Sequence, residues 1–233
     1  MELFLKENWK RIGISLSGGA DSALLSYLIC QNTNADIHFL NQIRMWRTRP
    51  WQIDIADRVV DWFRYRFDNN FFVHRNFIPP ELEEPNTTYI TDEYGKLKSG
   101  NRIILRAHAE FIAHQEKLDA LYAAVNRNPS LDFAGALPER DEGVLPLHFI
   151  HDNVEVCHPF VYTRKDWIIG QYYQNKIEDL LKITRSCEGD KNDYPEIFGN
   201  LDYTTYTPGQ FVPECGKCFW CKERNWAIEN VRT

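Results

Sequence analysis

The sequence predicts an α/β fold: a parallel sheet of Rossmann-like type, followed by a small Cys-rich C-terminal appendage. Three observations lead there. Short apolar runs alternate with helix-patterned segments through most of the chain. A Gly-rich turn, Ser17-Gly18-Gly19-Ala20-Asp21-Ser22, joins the first apolar run to the first helical one. Four of the six Cys, Cys187, Cys215, Cys218 and Cys221, stand near the C-terminus. Alternation implies parallel strands, because each parallel neighbour has to be reached by a crossover.

In chain order, residues 11–16 read as a buried strand and 21–30 as an apolar helix. Residues 36–40 read as a second strand. Pro50 is placed to start a long amphipathic helix, with Ile53, Ala56, Val59, Val60 and Phe63 at helical spacing. Residues 71–73 suit a third strand. The Pro-, Asn- and Thr-rich stretch 79–100 reads as a loop, and loops of that length usually serve a function. A helix over 103–117, strands over 120–125 and 154–161 and a helix over 166–173 complete the pattern. From about residue 183 the chain reads as irregular.

Composition sets the class. With 233 residues, 43% apolar and 26% charged, the chain suits one large domain with an appendage. The net charge of -6 gives no general attraction to nucleic acid, so a direct nucleic-acid partner is not expected. Arg44, Arg47 and Arg49, and Arg64 with Arg66, read as solvated groups. No apolar run approaches the ~20 residues that span a bilayer, and the first residues lack a signal-peptide core. A cytoplasmic protein is expected, with Cys used for something other than secretory disulfides.

A strand, a Gly-Gly turn and a helix start form an anion site. The first N–H groups of a helix lack partners, and its dipole favours negative charge. Gly18 and Gly19 allow positive φ and close approach of a phosphate, and Ser17 and Ser22 offer hydroxyls. Asp21 is the unusual member. A carboxylate beside polyphosphate needs a cation between them, which points to Mg²⁺. Two common phosphate loops are excluded. The Lys of Walker A is absent, and so is the G-x-G-x-x-G spacing of dinucleotide folds.

Cys215-x-x-Cys218-x-x-Cys221 puts three thiolates within seven residues. Cys187 is the natural fourth ligand of a closed, structural Zn²⁺ site. The same spacing also serves [4Fe–4S] clusters, but the Cys-Pro that closes the bacterial ferredoxin run is missing, which favours zinc. Cys30 and Cys157 lie in apolar stretches and read as core fillers.

The loop at residues 17–22 resembles the SGGxDS signature of the PP-loop ATP pyrophosphatases, whose domain is of the adenine nucleotide alpha hydrolase type. That resemblance implies ATP bound at Ser17, Gly18, Gly19, Ala20, Asp21 and Ser22 and cleaved between the α- and β-phosphates. Ser17, Asp21 and Ser22 would be the catalytic members. It divides the chain into an ATP-binding domain over 1–182 and a zinc-binding region over 183–233.

Ser186-Cys187 together with Cys215-Gly216-Lys217-Cys218-Phe219-Trp220-Cys221 is similar to the S-C-Y…C-G-x-C-x-x-C of the 7-cyano-7-deazaguanine synthases. Glu188 replaces the Tyr. The span from Cys187 to Cys215 is longer than usual there and carries Tyr194, Phe198, Tyr203, Tyr206 and Phe211. It is either an inserted flap or a surface excursion packed by its own aromatics.

Looser matches imply substrate contacts at Gln42 and Arg44, at Asn101 and Arg102, at Asp132 and Arg140 and at Arg164. The central Tyr-Pro-Asp-Cys of the family's substrate loop is missing between Asp132 and Arg140. Resemblance to these ligases implies ATP-dependent conversion of 7-carboxy-7-deazaguanine and ammonia to 7-cyano-7-deazaguanine, in queuosine or other deazapurine synthesis, and often a homodimer. The altered substrate loop leaves rivals open: adenylation of another acceptor, tRNA thiolation, or a non-catalytic nucleotide-binding module.

Overall fold

The structure, a computed structural model, describes residues 3–44, 51–78, 89–91, 97–129, 133, 140, 143, 145–189, 194–199, 201 and 206–231; for residues 44, 78, 89–91 and 97–106 it describes the backbone alone. The elements are β1 (Arg11–Ser15), α1 (Ala20–Cys30), β2 (Asp36–Arg44), α2 (Gln52–Arg66), β3 (Phe71–Ile78), β4 (Tyr89–Thr91), β5 (Leu97–Ser99) and α3 (Gly100–Gln115). Then follow β6 (Ala120–Tyr122), β7 (His148–His151), β8 (Val154–Cys157), α4 (Lys165–Gln174), α5 (Glu178–Ile183), α6 (Pro195–Phe198) and α7 (Phe219–Val231).

Six strands form one sheet in the order β3-β2-β1-β6-β8-β7. All neighbours are parallel except β7, which runs antiparallel to β8 at one edge. The apolar runs are continuous because these strands are covered on both faces. Ile12, Ile14, Ile37 and Phe39 are fully buried in the main core, with α1, whose Ala23, Leu24, Leu25 and Ile29 are also fully buried. Helices α1, α2, α4, α5 and α7 pack together there. On the opposite face Ile112 and Ala113 of α3 meet Leu40, Leu118 and Val154. No helix among the described residues is long and apolar enough to cross a membrane.

The main elements agree with the periodicity of the sequence, and the exceptions have physical reasons. Residues 79–100, expected as a loop, contain the antiparallel pair β4–β5 and the first residue of α3. Pro50 lies outside the described residues. The short elements β7, α5 and α6 carry too few periodic positions to be read. The larger departure is α7, a 13-residue helix where the chain was expected to be irregular. Cys and aromatic residues mask its period. Trp226, Ala227, Ile228 and Val231 return it to the main core, although it begins beyond residue 183.

Strand β1 lies between β2 and β6. Chain progression reverses there: α1 leads to β2 on one side, and β6 sits on the other. In open parallel sheets the crevice at the carboxyl ends of such strands receives the ligand. Residues 17–22 leave the carboxyl end of β1 at that position.

Candidate functional site

The Gly-rich turn is closed by its own hydroxyls. Ser22 Oγ accepts from the Ser17 N–H at 3.2 Å and lies 3.1 Å from Ser17 Oγ. The Gly19 N–H donates to Ser17 Oγ at 3.2 Å, and Ser22 Oγ donates to the Gly19 carbonyl at 3.2 Å. Gly18 has φ +79°, where a side chain is strained, and a Cβ there would meet Ile55 at 2.9 Å. Gly19 differs from expectation. It is the N-cap of α1 with φ −81°, so it adopts no left-handed conformation. The turn presents two hydroxyls and the first turn of α1 on one side, and packs Gly18 against α2 on the other.

Asp21 meets a cation, and that cation is a side chain. Lys165 Nζ donates to both carboxylate oxygens, at 2.7 and 2.6 Å. Lys165 is 2% exposed, at the start of α4. A lysine buried this deeply needs a counter-charge, and Asp21 supplies it. Two helix turns further along α4, Tyr172 donates to the Ala20 carbonyl at 2.5 Å. Burial, and after it the Asp21 charge, push the Tyr172 hydroxyl well above its ordinary range, so it remains a donor. Helix α4 therefore holds the first turn of α1 through two polar contacts within the core.

The four Cys form one cluster. All are buried, and their Sγ atoms lie within 4.8 Å of one another. Cys187 and Cys215 are 3.5 Å apart, Cys215 and Cys221 3.8 Å. Four thiolates at about 2.3 Å around a tetrahedral ion lie about 3.8 Å from each other. The donor set therefore fits one metal ion. A cubane cluster attaches each thiolate to a different iron and spreads the sulfurs further. The N–H groups of Cys215 and Cys218 donate to Cys187 Sγ and Cys215 Sγ, both at 3.3 Å, which spreads thiolate charge. Gly189 is required nearby, since a Cβ would lie 2.8 Å from Cys215 Sγ. Cys30 and Cys157 stand apart, and burial pushes both thiols up to about 12.

No family model matches the chain, and no curated protein matches it. Among the solved structures similar to it are the following two. The U34-tRNA thiolase NcsA from Methanococcus maripaludis, solved with its [4Fe-4S] cluster, superimposes with a TM-score of 0.50 at 13% identity, over 94% of this chain and 81% of that one. The phosphoadenylyl-sulfate reductase from Candida auris, in a phosphate complex, gives a TM-score of 0.44 at 11% identity, over 79% of this chain and 83% of that one. The likeness to the thiolase is one of fold. It agrees with the parallel α/β architecture expected from the sequence.

The Cys cluster and the turn at residues 17–22 share a wall. Trp51 and Ile55, at the start of α2, pack with the four Cys and with Phe198. The long span between Cys187 and Cys215 covers this wall. Phe198 stacks on Trp51 at 5.9 Å, and Tyr206 meets it edge-on at 6.5 Å. The Tyr206 hydroxyl donates to Asp54; burial, and after it that carboxylate, raise its pKa. The Gly209 N–H donates to Asp54 at 2.6 Å. So the span packs on α2 and not only on its own aromatics. Phe211 points outward at 85% exposure, and Tyr203 lies outside the described residues.

The remaining expected site residues are scattered. Gln42 sits in β2 opposite Asn76, and its Oε1 is buried with no partner among the described residues. Arg44 ends β2 opposite Ile78. Asn101 and Arg102 lie in the first turn of α3; their side chains, like that of Arg44, lie outside the description. Asp132 lies outside the described residues altogether. Arg164 caps α4, pairs with Asp166 at 2.7 Å and lies over Trp226 at 6.0 Å.

Arg140 donates to Glu223 of α7 at 2.7 Å, with side chains 9% and 0% exposed. Asn126 adds a longer contact of 3.5 Å. The Arg140 guanidinium thus anchors α7 and does not stand open to a ligand.

Four residues the sequence argument did not single out carry much of the site. Lys165 had a signal: a Lys in the first turn of a helix opposes the dipole and needs another reason. Glu223 and Arg224 stand in a segment that showed no helical period. Arg224 donates to the Leu181 and Thr184 carbonyls at 2.9 and 3.0 Å, closing the end of α5. Arg185 had no signal; its contacts are tertiary.

Proposed function

We propose that the chain is an ATP-consuming enzyme that splits ATP between the α- and β-phosphates and activates an acid as its adenylate. One observation carries this reading. The SGGxDS turn opens α1 at the topological switch between β1 and β6, with its Asp21 charge already balanced by buried Lys165. Phosphates placed there meet helix N–H groups and the hydroxyls of Ser17 and Ser22, without facing an unpaired carboxylate. Mg²⁺ on the polyphosphate would add charge neutralisation for the departing pyrophosphate.

The acid is most consistent with 7-carboxy-7-deazaguanine, on the motif resemblance. Its carboxylate oxygen attacks the α-phosphorus and the bond to pyrophosphate breaks. Ammonia then adds at the acyl carbon, AMP leaves, and the nitrogen loses a proton to give the amide. The amide oxygen then attacks the α-phosphorus of a second ATP and releases pyrophosphate; the nitrogen gives up both its protons and AMP departs with that oxygen, leaving the nitrile. The Cys site would hold Zn²⁺ in a structural role, through Cys187, Cys215, Cys218 and Cys221.

The fold likeness to a U34-tRNA thiolase supports a second reading, adenylation of a tRNA base followed by sulfur transfer. Two features weigh against it: the acidic net charge and sulfur spacing suited to a single ion, where that thiolase holds a [4Fe-4S] cluster.

The test is pyrophosphate release from ATP with a panel of acids and ammonia, and separately with tRNA and a sulfide donor, on protein of measured zinc and iron content. Release with 7-carboxy-7-deazaguanine is expected. Release only with tRNA would favour the second reading. No release with any acceptor would leave a nucleotide-binding module.

A further inference from the structure

We propose that Arg185 is the positioning residue through which the Cys₄ site sets the conformation of the phosphate loop, so that nucleotide affinity depends on the bound metal. This rests on the reading that residues 17–22 hold a nucleotide.

Arg185 makes two kinds of contact at once. Its backbone N–H donates to the Gly18 carbonyl at 3.0 Å. Its side chain donates from Nη1 to the Val212 carbonyl and from Nη2 to the Pro213 carbonyl, both at 2.7 Å, and its guanidinium lies 5.3 Å from the Trp51 ring centre.

The backbone contact acts on the peptide between Gly18 and Gly19. In a trans peptide the carbonyl and the N–H point in opposite directions. Arg185 holds the carbonyl on its own side, and on the other side the Gly19 N–H reaches Ser17 Oγ at 3.2 Å. A rotation of that peptide, which Gly18 would permit, would turn a carbonyl oxygen toward the anion where an N–H is needed. Arg185 thus keeps the loop in its donor-out form.

The side-chain contact acts on the metal site. Arg185 stands two residues before Cys187, and Pro213 two residues before Cys215. The two chain segments are joined at one end by the guanidinium. At the other end stand the sulfurs of Cys187 and Cys215, 3.5 Å apart, and the bond from the Cys215 N–H to Cys187 Sγ. A metal ion closes that second end. Without it, the two segments are free to separate, the Arg185 fork loses its carbonyls, and the bond to Gly18 is no longer held in place. Lys does not reproduce this fork, because it lacks the planar pair of arms that places one Nη on each carbonyl. By linkage, nucleotide should tighten metal binding by the same factor that metal tightens nucleotide binding.

The experiment measures binding of a non-hydrolysable ATP analogue by calorimetry, with metal content determined for each sample. Zinc-loaded wild type is compared with R185A, R185K and chelator-treated wild type. Zinc-loaded wild type is expected to bind. R185A that retains zinc should bind about tenfold more weakly, or about 1.4 kcal/mol, and R185K should recover only part of the loss. Removing zinc from wild type should cost a similar factor, and removing it from R185A little more, because the two changes break one connection. Zinc-loaded R185A binding as wild type, or losses from mutation and zinc removal that simply multiply, would overturn the role of Arg185 alone. Should R185A fail to fold, R185K decides: unchanged affinity overturns the proposal. No binding by zinc-loaded wild type would remove the nucleotide reading, and Arg185 with it.

Discussion

Helix α2 belongs to two cores, and they are held together differently. Its later turns, with Val59, Val60 and Phe63, join the sheet's main core, where burial of aliphatic and aromatic side chains in regular elements supplies the stability. Its first turn, with Trp51 and Ile55, joins the core around Cys187, Cys215, Cys218 and Cys221. That second core contains α6, four residues long, and the first turns of α7, with little other regular structure among the described residues. Aromatics, glycines and thiols hold it. Repeated backbone pattern organises the first core. Convergence of a few side chains on one point organises the second, and so it depends on what binds there.

The largest effect should come from removing that convergence. Cys218→Ser or chelation removes a binding free energy of about 10–16 kcal/mol in comparable structural zinc sites. Near-UV dichroism and Trp fluorescence from Trp51 and Trp220 should change strongly, while far-UV dichroism of the sheet and its helices is largely kept. Loss of both signals together would show that the two cores are one cooperative unit. Next comes Arg140→Ala, which removes the counter-charge of the fully buried Glu223 and leaves it only the longer Asn126 contact. Denaturant unfolding should show a loss of about 3–5 kcal/mol, with the main core affected because Glu223 sits on α7.

Lys165→Met tests the functional side of the sheet. On the proposed function, Asp21 would then face the phosphates without its counter-charge. ATP-dependent turnover should fall about 10²-fold or more, with zinc content unchanged. Unaltered turnover would sink the role given to the Asp21–Lys165 pair.

The smallest effect concerns the face of the sheet under α3. His38 Nδ1 and His74 Nε2 are 2.9 Å apart in stacked rings. Burial, followed for His38 by the charge of the other ring, holds both below the ordinary histidine range; Glu116, and for His38 also Asp36, oppose the shift, while Arg11 adds to it. His108, also lowered by burial and by His74, faces the same cluster. The unfolded chain protonates these groups near pH 6.5 and the folded chain only at lower pH. Stability should therefore be full above about pH 6.5 and fall as the pH drops below it, until the folded groups also protonate. Thermal unfolding across that window should show the decline, and His38→Phe should flatten it.

These two regions were unequally legible. The main core could be read because strand and helix periods place Ile12, Ile14, Phe39 and Val59 inward without knowledge of anything distant. The turn at residues 17–22 could be read because its Gly and Ser act locally. Asp21 could be seen to need a cation, but not that Lys165, far along the chain, provides it. The grouping of the four Cys could be read by spacing, yet α7 could not, since Cys221, Glu223 and Ala227 face three different environments and give no simple apolar stripe. The contacts of Arg185 and Arg140 follow from neither period nor motif. Each depends on where two remote segments arrive.

The Asp21–Lys165 pair spans 144 positions, and its consequence concerns assembly in time. On a ribosome, the turn at residues 17–22 and α1 emerge well before Lys165 and Tyr172. Until then Asp21 lacks the counter-charge that Lys165 brings. Pairing of such distant partners is slow to form. The first turn of α1 thus reaches its final electrostatic state only after α4 has been made and has packed against it.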